Sequence, residues 1–304
     1  MPAAGRLSEK SITMHRKFTF AKLKDFARSL CFLSPSFLGV CLFFIIPFAV
    51  VVKYAFTDVN GEFVQFQNFA NLIRNPIFKM AAKNTLTFSA LAVPLSVILA
   101  IALALMLECR IPGKSFFRSF FLSPLMVPVA SIVLVWQVLF NNNGTVNVLI
   151  AALGGTGMDW LNSDRAQLVV ILLFLWKNLG YDMILFMAGL ANIPRDLLEV
   201  ADVEGASRFY KFFAIKLRYL SPTLLFVTIL SLINSFKIFR EVYLLAGNYP
   251  YESLYTLQHF MNNMFNSFDY QKLSAAAVLM AIVMVVIIAL LFAVEDWFGK
   301  DVEG

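Results

Sequence analysis

Apolar residues in this chain run on in long blocks, without the polar interruptions expected of a half-buried surface helix or strand. A bilayer core takes about 20 apolar residues per helical span. Six stretches reach that length, at about 30–56, 84–108, 116–140, 166–190, 220–246 and 273–296. They predict an all-α integral membrane protein with one six-helix domain over 30–297, a basic segment at 1–29 and a short tail at 298–304. The first stretch follows basic residues as a signal peptide would, but it is too long and lacks a small-residue cleavage site, so it reads as an uncleaved first span.

Basic residues orient the spans, because lysine and arginine collect in short cytoplasmic loops. Arg6, Lys10, Arg16, Lys17, Lys22, Lys24 and Arg28 precede span 1, and Arg110, Lys114 and Arg118 flank the turn between spans 2 and 3. Arg195, Arg208, Lys211, Lys216 and Arg218 fill the segment between spans 4 and 5. The loop at 141–164 has no basic residue, that at 247–272 has Lys272 alone at its edge, and 57–83 has Arg74, Lys79 and Lys83. Both termini and the segment between spans 4 and 5 are therefore expected in the cytoplasm. Residues 15–30 interleave Phe18, Ala21, Phe26 and Leu30 with lysine and arginine, and read as either an interfacial helix on the anionic inner leaflet or a tail serving only topology.

Composition narrows the function classes. The chain is 60% hydrophobic and 14% charged, outside the range of soluble domains. Its net charge of +6 is accounted for by topology, so it does not argue for nucleic acid. Cys31, Cys41 and Cys109 lack metal-ligand spacing and read as packing residues. With only His15 and His259, and no clustered acids, neither a metal site nor a catalytic constellation is expected. No Gly-x-x-x-x-Gly-Lys-Ser/Thr occurs, so any ATP must be bound by another chain.

The segment 192–219 is rich in charge yet lies between two apolar runs. Pro194 suits the first turn of a helix, with Asn192 as its cap. Leu197, Leu198, Ala201 and Val203 alternate with Asp196, Glu199, Asp202 and Glu204 in a short amphipathic helix that Gly205 ends. Phe209, Phe212, Phe213 and Leu217 line a second.

This pair of helices resembles the signature loop of binding-protein-dependent ABC importer permeases, which runs Glu-Ala-Ala, three residues, Gly, nine residues, Ile, one residue, Leu-Pro. Glu199, Ala201, Gly205, Ile215 and Leu217 match it; Val200 stands for the first alanine and Arg218 for the proline. Trp160-Leu161, the run 190–195 and Glu241-Val-Tyr-Leu-Leu-Ala-Gly247 look like the sugar-permease branch, and the resemblance covers about 30–295. It implies a type I importer fold and alternating access in a bacterial or archaeal cytoplasmic membrane. Glu199, Ala201, Asp202, Gly205 and Ala206 would then couple to a dimeric ATPase holding ATP and magnesium. A second homologous permease and an extracellular or periplasmic sugar-binding protein would be the other partners.

Within the apolar runs, ionisable and amide residues are costly and mark an aqueous cavity or a bundle interior. Span 4 carries Trp176, Lys177, Asn178, Gly180, Tyr181 and Asp182; span 5 carries Asn234, Ser235, Lys237, Arg240 and Glu241. A carbohydrate path needs amides and hydroxyls to replace hydration, and aromatic faces for the sugar's C–H surface. Trp176, Asn178, Gly180, Tyr181, Asn234, Ser235, Lys237 and Glu241 are the candidates. Asn234, Lys237 and Glu241 are expected on one helical face, where the alternative role for Lys237 and Glu241 is an i,i+4 ion pair. The competing functions are import of a phosphorylated or acidic solute, and ion-coupled transport with Lys177, Asp182, Lys237 and Glu241 as a relay. The loop 141–164 contains a short apolar stretch expected to form an external helix, suited to receiving a binding protein or to resting on its own bundle.

Overall fold

A computed structural model describes residues 29, 31–108 and 112–299, and these are all-helical apart from one isolated bridge between Thr57 and Phe63. The basic segment before residue 29, Cys109, Arg110 and the extreme C-terminal tail lie outside the described residues. Among the described residues five helices are long and apolar enough to cross a membrane, and a sixth is reached when one bent pair is counted as a single span.

Helix α1 (Cys31–Phe56) widens to a π-helical turn at Cys41–Ile45. Pro47 stands two residues after that turn, and with no N–H to give the Phe43 carbonyl it accounts for the irregular ladder there. After α2 (Gln67–Arg74), α3 (Pro76–Glu108) begins a full two turns before the expected second span, because Pro76 supplies a helix-ready φ at a position that needs no N–H.

The expected third span at 116–140 is not one helix. It consists of α4 (Lys114–Met126) and α5 (Val129–Phe140), bent by 99° at the break. Pro128 forces Val127 into extended backbone (φ −83°, ψ 132°), while Pro124 has already removed a donor from the last turn. A short helix follows, α6 (Thr145–Ala152), then α7 (Ala166–Ala191). The segment after α7 forms α8 (Arg195–Val203) and α9 (208–219), which is π-helical over Lys211–Lys216. The chain then crosses again as α10 (Ser221–Phe236) and α11 (Phe239–Ala246), caps one end of the bundle with α12 (Leu257–Asn266), and continues into α13 (Tyr270–Gly299).

Helix α7 is the centre of the bundle. Its most extensive neighbour is α3, whose Ala92, Ser96, Ala100 and Ala104 recur every fourth residue and are all fully buried. Without a hydrophobic drive between helices in lipid, such a small-residue stripe lets two backbones approach closely. Gly180 does the same toward α4, since a Cβ there would overlap the backbone carbonyl of Phe121. Gly189 faces Leu220 and Thr223 at the start of α10. Phe174 and Phe88 meet edge to face with ring centroids 5.6 Å apart, and Phe78 meets Phe260 in the same way at 5.5 Å. By contrast α1 packs chiefly along α13, and both remain peripheral.

Candidate functional site

The segment between α7 and α10 is built from its helix ends. Asn192 does not cap α8; it closes α7, its N–H bonding the Gly189 carbonyl, and Pro194 takes the N-cap position with extended backbone (φ −58°, ψ 128°). The residue before a proline, here Ile193, is disfavoured in the helical region, so the cap falls two residues beyond Asn192. At the other end Gly205 sits at φ +77°, its N–H bonding the Asp202 carbonyl (3.1 Å) while the Ala206 N–H bonds that of Ala201 (2.9 Å). These two bonds are a Schellman termination, and they need a residue that accepts left-handed backbone. Ser207 then caps α9, its Oγ accepting from the Tyr210 N–H.

The two helices are anchored to the bundle and present their other faces outward. Ala201 is buried, Lys211 pairs with Asp202, and Lys216 Nζ reaches Glu108 Oε2 at the end of α3 (2.6 Å). Glu199 and Ala206 lie at the surface and half-buried, while Val200, Val203, Phe209 and Phe213 are exposed apolar side chains. A cleft of about 690 Å³ opens beside them, bordered by Leu198, Asp202, Phe209 and Phe212. An apolar patch of this kind, rimmed by charge, fits a protein partner.

The second constellation lies between α7 and the two halves of span 5. Lys177 pairs with Glu241, joining α7 to α11. The i,i+4 pair expected between Lys237 and Glu241 is replaced by this interhelical one. Span 5 breaks between α10 and α11 at Lys237 and Ile238, where the Ser235 hydroxyl donates to the Leu232 carbonyl (2.7 Å) and competes with the helix ladder. The single face expected for Asn234, Lys237 and Glu241 is thereby lost: Glu241 is buried, Asn234 half-buried and Lys237 exposed. Arg240, also exposed, has a guanidinium nitrogen 3.9 Å from the same Glu241 oxygen. The other oxygen, Oε2, is buried without a hydrogen-bond partner.

The amides of Asn178 and Asn234 meet each other across spans 4 and 5. Asn234 Nδ2 donates to Asn178 Oδ1 (3.3 Å), and Asn178 Nδ2 donates to the Phe174 carbonyl (2.8 Å). Ser235 is fully buried against Ser89 of α3 (2.8 Å between hydroxyls). Gly180 lies at the crossing with α4, and Trp176 and Tyr181 stand on the open side of α7, at 44% and 38% exposure. Trp136 of α5 stands 6.4 Å from Trp176 between ring centroids.

Three polar groups escaped the sequence reading. Ser96 of α3 and Ser231 of α10 both donate to Asp182 Oδ2, at 2.7 and 2.9 Å, so one buried carboxylate ties three spans together. Gln137 of α5 donates to the carbonyls of Leu244 and Leu245 (3.2 and 3.0 Å), fastening the bent span to α11. The signal for the serines was their place in buried small-residue positions. For Gln137 it was an amide alone in an apolar run.

Comparison with known proteins agrees with this geometry. The chain is 28% identical to the probable ABC transporter permease protein YesP of Bacillus subtilis, over 90% of this chain and 92% of that one. It is 28% identical to the trehalose/maltose transport system permease protein MalF of Thermococcus litoralis (79% and 81% covered), and 26% identical to the arabinooligosaccharides transport system permease protein AraP of Bacillus subtilis (86% and 85%). Its fold matches a chain of a bacterial ABC transporter involved in the import of the acidic polysaccharide alginate, with a TM-score of 0.79, 21% identity, and 91% and 98% of the two chains covered. Residues 110–304, well over half of the sequence, match one family across both constellations described above: the chain belongs to the binding-protein-dependent transport system inner membrane components.

Proposed function

We propose that this multi-pass, non-enzymatic transport subunit carries a sugar or oligosaccharide inward, delivered by an external binding protein and driven by ATP hydrolysed on partner subunits. The observation that carries the reading is the coupling segment. Its two helices, separated by the Gly205 turn, hold an exposed apolar face beside a cleft, while Lys211 ties α9 to α8 through Asp202 and Lys216 ties α9 to the bundle through Glu108. Glu199, Ala201, Asp202, Gly205 and Ala206 form the contact with a dimeric ATPase that holds ATP and magnesium. Both termini then lie in the cytoplasm, in agreement with the basic-residue distribution.

A second permease of the same family completes the translocation path. On this chain the path runs along the open side of α7 and α11, where Trp176 and Tyr181 offer ring faces and the Asn178–Asn234 pair offers amides. Gly180 and Ser235 set the helix packing behind it. Saccharide relatives support the substrate class: beside the two named above stands the lactose transport system permease protein LacF of Rhizobium radiobacter. A proton or ion relay is less well supported, because Lys177 and Glu241 Oε1 are paired with each other and Asp182 Oδ2 is engaged by two serines.

The test is uptake by the complex purified through a tag on this chain and reconstituted in liposomes. Radiolabelled oligosaccharides should accumulate only with binding protein outside and hydrolysable ATP inside. Accumulation driven by an ion gradient without ATP contradicts the proposal.

A further inference from the structure

Charge on the open side of span 5 is unbalanced. Lys177, Lys237 and Arg240 meet one carboxylate there, Glu241, so three cations against one anion leave two positive charges in excess. Asp182 does not redress this, since it is fully buried behind α7 and engaged by Ser96 and Ser231. Glu241 is itself buried and committed to Lys177. Among the described residues Lys237 makes no ion pair, and Arg240 has one long contact, 3.9 Å from the Glu241 Oε1 that Lys177 already holds.

These cations lie within the span. Lys237 precedes the outer end of α11, Ala246, by nine residues, which is roughly 14 Å along a helix, and Arg240 by about 9 Å. A charge at such depth facing hydrocarbon is costly, so side chains exposed there turn toward an aqueous cavity or a partner. The exposed positions of this segment are Lys237, Arg240, Tyr243 and Leu244, a continuous stripe, while Glu241, Val242 and Leu245 face the bundle. Two cations three residues apart sit about 5–6 Å from each other at Cβ, close enough for one acidic group to engage both. Tyr243, next along the stripe and in ring contact with Phe239 (5.5 Å), offers a face to the attached sugar ring.

We infer that the saccharide passing this site is anionic, and that Lys237 and Arg240 receive its acidic group while Tyr243 packs against the ring. The inference rests on the import function proposed above. It adds a specificity that neutral-sugar import does not require: an excess of cations in a confined, low-dielectric passage concentrates anions and leaves neutral sugars unaffected.

The experiment measures initial uptake of a galacturonic acid trimer and of the neutral galactose trimer by the reconstituted complex, with its binding protein held constant. Wild type should favour the acidic trimer. Lys237→Gln with Arg240→Gln should reduce acidic uptake by about tenfold or more while neutral uptake changes by less than about twofold, and Arg240→Lys should restore part of the loss. Raising the salt should narrow the wild-type preference. A parallel fall for both trimers would assign these residues to packing, or to carboxylates of the second permease, and overturn the inference. Neutral uptake alone in wild type also overturns it, yet leaves saccharide import standing. Absence of ATP-dependent uptake of either trimer brings down the import reading and this inference together.

Discussion

Helices α1 and α7 are both 26 residues long and both apolar enough to span a bilayer, yet they do opposite work. The more apolar of the two, α1, has none of its most apolar window buried in the bundle, whereas 56% of that of α7 is buried. Hydropathy therefore reports which segments enter lipid and says little about which hold the protein together. What distinguishes α7 is the material that lowers its hydropathy: Gly180 and Gly189 for close approach, Asn178 and Asp182 for hydrogen bonds to other spans, and Lys177 for the tie to α11. In a membrane such residues supply the specificity that hydrophobic burial supplies in water.

The sharpest way to break this comparison is a matched pair of glycine substitutions. Gly180→Val should prevent assembly or cost about 4 kcal/mol or more, because its Cβ meets a backbone carbonyl that cannot yield. Gly39→Ala in α1, where nothing lies within 4 Å, should be neutral or stabilise by up to about 1 kcal/mol through helix propensity. Thermal unfolding in detergent, with recovery of the monodisperse protein, checks both.

How much of this difference was legible in the chain can be argued from particular residues. Run length located the crossing segments, and basic residues gave an orientation. The glycine-terminated segment at 192–219 was read from its charge, its amphipathic alternation and its likeness to the permease signature loop. The small-residue stripe Ala92, Ser96, Ala100 and Ala104 was equally present in the sequence, but period-four small residues are common in apolar runs and gain meaning only when a facing helix is known. Pro128 lay in plain view, yet a proline in a span is compatible with a gentle kink as well as a 99° bend. The Lys177–Glu241 pair was out of reach, because an i,i+4 partner within the same helix looks better on paper than one 64 residues away.

Outside the spans the comparison extends to pH. His259 in α12 is fully buried among Phe239, Tyr255 and Thr256, and burial lowers its pKa from 6.5 to about 4. Between those values the unfolded chain binds a proton that the folded one excludes, so stability falls as pH drops through that window, by up to about 3 kcal/mol. Melting temperature against pH should show this slope, and His259→Gln should flatten it. An unchanged slope in the variant would place the acid sensitivity elsewhere.

A smaller effect is expected from the carboxylate that joins three spans. Asp182→Ala leaves the Ser96 and Ser231 hydroxyls without their acceptor and should cost about 2 kcal/mol, whereas Asp182→Asn, which keeps one oxygen, should cost less. Equal destabilisation by both variants would mean that charge, and not hydrogen bonding, is what matters there. Smallest of all should be Gly205→Ala, which imposes about 1 kcal/mol of left-handed strain on the turn between α8 and α9. Its effect should appear less in melting than in ATP-driven uptake.

The account stands or falls on the contact made by α8 and α9. Val203 ends α8 with its side chain 90% exposed, on the face assigned to the ATPase. With Cys31, Cys41 and Cys109 replaced by serine, Val203→Cys in the intact complex should form a cross-link to the ATPase subunit with a short bis-maleimide. It should also resist an impermeant thiol reagent applied to the outside of right-side-out vesicles. Rapid labelling from outside, with no cross-link to the ATPase, would contradict the assignment of this segment as the cytoplasmic coupling element.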